Sequence, residues 1–129
     1  CLEGELGVGK TTLVKGIAEG MGINEGVTSP TFTIINQYDG SIQLYHVDTY
    51  RMDTLQDLID VGIEDYLPSK DGVTVVEWPE LIDELLPADK LVISLKQLGE
   101  NQRELDIGSY GDAYIRLIEE LVRHEGFGN

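Results

Sequence analysis

Cysteine is nearly absent from this sequence: Cys1 is the only one in 129 residues. No internal disulfide can form, and the compartment expected for such a chain is a reducing cytoplasm. No apolar run is long enough to cross a bilayer. Basic residues are scarce, with nine Lys and Arg against 24 Asp and Glu for a net charge of −15. Nothing resembles a basic stripe, so a direct high-affinity grip on a nucleic-acid backbone is not expected. The acidity serves solubility and leaves room for a partner with a basic surface. The only arginines are Arg51, Arg103, Arg116 and Arg123, few for a small-molecule kinase, which recruits several to the transferred phosphoryl group. A GTPase would carry an Asp-x-x-Gly switch and an Asn-Lys-x-Asp base reader. The first is missing, and Asn36-Gln37-Tyr38-Asp39, the nearest match to the second, lacks the lysine. Without repeats, low-complexity tracts or a linker, residues 1–129 read as a single domain.

What the sequence does contain begins at once. Gly4-Glu5-Leu6-Gly7-Val8-Gly9-Lys10-Thr11 fits the phosphate-binding pattern G-x-x-x-x-G-K-[ST] at every fixed position. Glycines let the backbone turn tightly, so that N–H groups from Glu5 through Thr12 can face a polyphosphate. Lys10 brings an ammonium to the outer phosphates, and the Thr11 hydroxyl suits Mg²⁺. The helix that follows presents its positive end to the anion. Such a loop normally leaves a buried strand. Only Cys1, Leu2 and Glu3 precede it, so the first strand and an N-terminal segment are expected to be missing from this sequence.

Further along, the pattern predicts a helix from Thr11 to about Glu19, with Leu13, Val14 and Ile17 inward and Gly16 allowing close packing. Residues 31–38 and 42–47 read as a hairpin turned by Asp39-Gly40. Asp53-Thr54-Leu55-Gln56 resembles a capping box opening a helix that Gly62 closes, with a short turn after it. Val73-Thr74-Val75-Val76 is a strand covered on both faces, stopped by Glu77-Trp78-Pro79. Strands over 91–95 and 104–107 and a helix over 112–124 complete the chain, with Tyr114, Ile118, Leu121 and Val122 expected in the core. The fold class is α/β, with a mixed sheet.

A phosphate loop needs a carboxylate at the end of a buried strand to hold the metal. Asp48, after Gln43–Val47, and Glu77, after Val73–Val76, are both candidates. Thr28, Ser29, Thr31 and Thr33 occupy the position where nucleotide switches sense a terminal phosphate, although a Ser/Thr-rich turn is equally ordinary there. His46 has no second His or Cys at ligand spacing and reads as a polar strand residue. Trp78 suits either the core or a contact surface.

One order of blocks is more specific than the loop. It runs Gly4 to Thr12, Ser29-Pro30-Thr31-Phe32-Thr33, Tyr45-His46-Val47-Asp48-Thr49-Tyr50-Arg51, Gly62-Ile63-Glu64-Asp65-Tyr66 and Val76-Glu77-Trp78-Pro79. This series resembles the bacterial TsaE (YjeE) family, the ATPase component of tRNA threonylcarbamoyladenosine synthesis, over about residues 1–95. The terminal hairpin and helix resemble it only loosely, and the family's N-terminal segment has no counterpart. The resemblance implies a P-loop NTPase-like three-layer fold and ATP with Mg²⁺ as cofactors. Thr11 and Glu77 would hold the metal, Lys10 the phosphates, and Asp48 would act beside them. It also implies nucleotide contacts by Glu5, Leu6, Gly7, Val8, Gly9, Thr12, Ser29, Thr31 and Arg103, and a functional surface at Trp78. The implied partners are the TsaD and TsaB proteins. A small-molecule kinase and a nucleotide-binding scaffold without significant hydrolysis are the alternatives.

Overall fold

The computed structural model describes residues 1–28, 35–67 and 71–125. Along the chain come β1 (Leu2–Glu3), α1 (Lys10–Gly20), β2 (Ile35–Tyr38), β3 (Gln43–Asp48) and α2 (Leu55–Asp60). They are followed by β4 (Gly72–Glu77), β5 (Lys90–Gly99), β6 (Gln102–Tyr110) and α3 (Asp112–Glu125). Two 3₁₀ segments, Ile63–Tyr66 and Pro79–Leu85, lie before and after β4. The strands form one sheet in the order β2-β3-β4-β1-β5-β6. Its centre is parallel, and antiparallel β2 and β6 form the edges. Among the described residues no helix is long and apolar enough to cross a membrane.

Alternation along the strands builds the three layers. Leu44 on β3 and Val75 on β4 join Leu2 and the α1 residues Val14 and Ala18 in one core cluster. Val47 and Val76, of opposite parity, pack with Leu58 of α2, Ile63 and Ile82 in the other. Both faces of β3 and β4 are therefore covered, which is why these strands are so apolar. Each leucine or isoleucine fully buried this way contributes about 1.5–3 kcal/mol.

The first strand, expected to be missing, is supplied by two residues. Leu2 pairs in parallel with Glu77 on one side and Ile93 on the other, and Glu3 pairs with Ser94. Cys1 extends the ladder: its amine donates to Leu91 O and its carbonyl accepts from Ile93 N, both at 2.8 Å. With partners on both sides, these residues lie in the middle of the sheet.

Three local expectations shift. Residues 39–42, rather than a two-residue turn, connect β2 to β3. Gly40 is not in the positive-φ region that a type I′ turn demands. Helix α2 is capped by Thr54, whose hydroxyl accepts from Asp57 N at 3.2 Å, one residue later than the capping-box reading placed it. Helix α3 packs chiefly on β6, so Tyr114, Ile118 and Leu121 are only half-buried and Val122 is 46% exposed.

Gly16 does not serve close packing either. It is exposed, and a Cβ added there meets nothing within 4 Å. Its flexibility is a cost without a structural return, since glycine in a helix interior is about 1 kcal/mol less favourable than alanine. Gly16→Ala should therefore stabilise the protein by about 0.5–1 kcal/mol, read as a higher midpoint in urea at unchanged m-value. A lower midpoint would mean that Gly16 meets something this packing lacks.

Candidate functional site

The loop 4–9 joins the C-terminal end of β1 to the N-terminus of α1. Gly4 has φ 146°, and a Cβ there would lie 2.7 Å from Leu95 O and 2.9 Å from Val8 Cγ1. Only glycine fits. Gly9, at φ 116°, is the N-cap of α1 and brings no side-chain acceptor to the helix start. A Ser, Thr or Asp cap would offer its own oxygen there, whereas glycine leaves the positive end of the helix open to an anion.

Lys10 opens α1 and is buried, with 4% exposure. Its Nζ donates to the carbonyls of Gly4 and, at 3.4 Å, Glu5. It also lies 3.6 Å from the centroid of the Trp78 ring, a cation–π contact. Burial lowers the pKa of this ammonium, while the charges of Glu77, Asp48 and Glu80 oppose the shift.

Sheet register brings the two candidate carboxylates together. Asp48 and Glu77 are direct partners at the ends of β3 and β4, and Glu77 is also aligned with Leu2 just before the loop. Thr11 Oγ1 donates to Glu77 Oε2 at 3.0 Å and to Oε1 at 3.3 Å. His46 Nε2 lies 2.5 Å from Glu77 Oε2. Asp48 Oδ1 accepts from Tyr50 N at 3.0 Å. Burial raises the Asp48 pKa, the Tyr50 N–H pulls it down, and the neighbouring Glu77 charge raises it.

Trp78 is the one non-glycine residue with positive φ among those described, at φ 59° and ψ 58°. This left-handed turn costs about 1–2 kcal/mol. Thr49 Oγ1 holds it by donating to Trp78 O, and Pro79 starts the 3₁₀ segment directly afterwards. The turn swings the indole back over Lys10 and against Tyr50, with ring centroids 5.0 Å apart.

The result is a pocket of about 360 Å³, lined by Leu6, Gly7, Gly9, Lys10, Thr11, Thr12, Asp48, Tyr50, Glu77 and Trp78. Glu5 and Val8 lie outside it and bound, with Leu6, a smaller depression of about 110 Å³ beside Leu95, Lys96 and Gln97. Arg103 meets the loop rather than the pocket: its Nε donates to Val8 O at 2.9 Å and its Nη1 to Gln102 O and Gly99 O at 3.0 and 3.1 Å. Ser29, Thr31 and Thr33 lie outside the described residues.

The oxygen donors Thr11 and Glu77 suit a hard cation. Among the described residues no cluster of three or more His, Cys, Asp or Glu forms a metal cage. One hydroxyl and one carboxylate could hold Mg²⁺, an ion that takes few protein ligands and fills its shell with phosphate oxygens and water.

A family model described as "Threonylcarbamoyl adenosine biosynthesis protein TsaE" matches residues 1–105. The chain belongs to the TsaE family. A Bacillus subtilis relative, named tRNA threonylcarbamoyladenosine biosynthesis protein TsaE, is 48% identical over 129 residues, covering 99% of this chain and 80% of that one. One of the same name from Treponema pallidum is 43% identical over 106 residues, covering 82% and 78%. The crystal structure of Bacillus subtilis YdiB superposes with a TM-score of 0.80 at 46% identity, covering 96% of this chain and 76% of that chain. The likeness to TsaE proteins thus reaches past residue 95, where the resemblance read from the sequence ends, into the terminal hairpin and helix.

Sequence reasoning missed three of the site's residues. His46 is a strand residue as expected, but it is fully buried against Glu77. Strand parity could have found it, because His46 shares a face with Asp48 two residues on. Thr49 and Tyr50 gave no such signal, since their roles follow from the turn at Trp78.

Proposed function

We propose that this TsaE-family chain is a Mg²⁺-dependent ATPase subunit. In this reading it serves threonylcarbamoyladenosine modification of tRNA together with the TsaB and TsaD proteins, in the cytoplasm. The observation that carries the reading is the convergence of Lys10, Thr11 and Glu77 on one pocket at the mouth of a glycine loop. Lys10 exchanges its carbonyl and ring contacts for the outer phosphates. Thr11 and Glu77 hold Mg²⁺, which when bound neutralises charge on the phosphates. Asp48, beside Glu77 and with its pKa raised by burial, takes a proton from water at the pocket. Arg103 braces the loop from behind through Val8 O.

Hydrolysis by the chain alone is slow in this reading. Among the described residues no arginine lines the pocket, and a finger supplied in trans accelerates related reactions by about 10³–10⁵-fold. A partner therefore controls the rate by completing the site. The acidic balance agrees with a subunit that leaves tRNA to others.

The test is ATP turnover with and without the purified TsaB–TsaD pair. The pair should stimulate it, and Trp78→Ala should reduce that stimulation more than it reduces ATP affinity, because Trp78 and Tyr50 form the aromatic rim of the pocket. A phosphorylated small-molecule product with no response to TsaB–TsaD would replace this reading with a kinase. ATP binding without turnover under either condition would leave a scaffold.

A further inference from the structure

His46 is fully buried, yet among the described residues its Nδ1 has no hydrogen-bond partner. A buried polar atom left unpaired is a cost, and an apolar side chain filling the same space would avoid it. Histidine is worth having here only for its other nitrogen, which lies 2.5 Å from Glu77 Oε2. A carboxylate oxygen accepts, so in this hydrogen bond Nε2 is the donor.

The contacts on the Glu77 carboxylate come from two directions. Thr11 approaches from the phosphate loop and is itself a proposed metal ligand. His46 approaches from β3, inside the sheet, where it is aligned with Val75 two residues before Glu77. Its bond is therefore independent of what the loop binds. The Glu77 side chain is 4% exposed, so no bulk water substitutes for that donor.

We infer that His46 is a positioning residue whose Nε2–H fixes the Glu77 carboxylate in the orientation that receives magnesium. This rests on the reading of Glu77 as a metal ligand given above. Donors behind metal-binding carboxylates matter because an unanchored ligand must be ordered at the moment of binding, and their loss costs about 10–100-fold in metal affinity.

The experiment titrates Mg²⁺ into the full chain holding the fluorescent analogue mant-ATP, with a parallel binding measurement in EDTA. His46→Leu should raise the half-saturating Mg²⁺ concentration by about 10-fold or more and leave metal-free mant-ATP affinity unchanged. His46→Gln, whose amide nitrogen reaches the Nε2 position, should restore the wild-type value. His46→Asn, whose nitrogen reaches only the Nδ1 position, should not. If the leucine variant fails to fold, the Gln and Asn pair decides. A merely structural histidine would shift thermal stability without moving the Mg²⁺ midpoint. A folded leucine variant with the wild-type midpoint, or Gln and Asn variants displaced alike, would overturn the inference. If Glu77→Gln loses the Mg²⁺ response while every His46 variant keeps it, His46 alone is misread. If wild type has no Mg²⁺ response, both the metal reading of Glu77 and this inference fall.

Discussion

Lys10→Ala should lose tight binding of ATP with Mg²⁺ while the protein stays folded. The ammonium is the one charge that the loop pattern itself positions, and it lies buried between the Gly4 carbonyl and the Trp78 ring. Removing one partner of a buried charge-assisted contact costs about 2–5 kcal/mol. The affinity loss should therefore be on the order of 100-fold, at about 1.4 kcal/mol per tenfold. The fold should survive because the core under α1 is made by Val14 and Ala18, while Lys10 itself touches the loop carbonyls and the Trp78 ring. Trp78 is the only tryptophan, so intrinsic emission should change when nucleotide draws the ammonium away from its ring. That change should vanish in the variant. Unchanged affinity for a labelled ATP analogue in a folded Lys10→Ala protein would mean that the loop is not the binding site.

Glu77→Ala should cut ATP turnover by about 100-fold or more, the scale of losing one preorganised electrostatic contact in an active site, while metal-free nucleotide binding changes little. The asymmetry follows from where Glu77 sits. Its hydrogen bonds are to the Thr11 hydroxyl and the His46 ring, whereas Lys10 hydrogen-bonds to the Gly4 and Glu5 carbonyls. Glu77→Gln separates charge from packing, since it keeps the shape and removes the negative charge that a divalent cation needs. Steady-state turnover over a range of Mg²⁺ concentrations checks both variants. Wild-type activity in either would move the metal role to Asp48, the register partner of Glu77.

Much of the fold was legible because its signals are local. The run Val73–Val76 announced a strand buried on both faces; it is β4, in the sheet interior, buried on both faces at Val75 and Val76 while Val73 stays 41% exposed. The helix after Lys10, the short turn after Gly62 and the final hairpin and helix followed from periodicity and glycine placement. Failures came where a local signal competed with long-range partners. The pairing of Leu2 with both β4 and β5 had no local signal in the residues before the loop. The apolar stripe of α3 looked like a core face, yet its chief contact is the edge strand β6 and its residues stay half-open.

By itself the sequence determined the glycine loop between β1 and α1, because glycines at positions 4 and 9 and the Lys10-Thr11 pair are constraints on one short stretch of backbone. It also offered Asp48 and Glu77 as the candidate carboxylates, since each ends a recognisable strand. Only the tertiary structure decided the rest. Thr11 and Glu77 are 66 residues apart in sequence and meet through the parallel pairing of β1 with β4. His46 became part of the site through the register of β3 on β4, and Trp78 through a left-handed turn held by Thr49. Arg103 was drawn to the Val8 carbonyl of the loop rather than to the pocket. Local patterns fix what each segment can become, whereas contacts between distant side chains depend on register and turn geometry that only the packed sheet imposes.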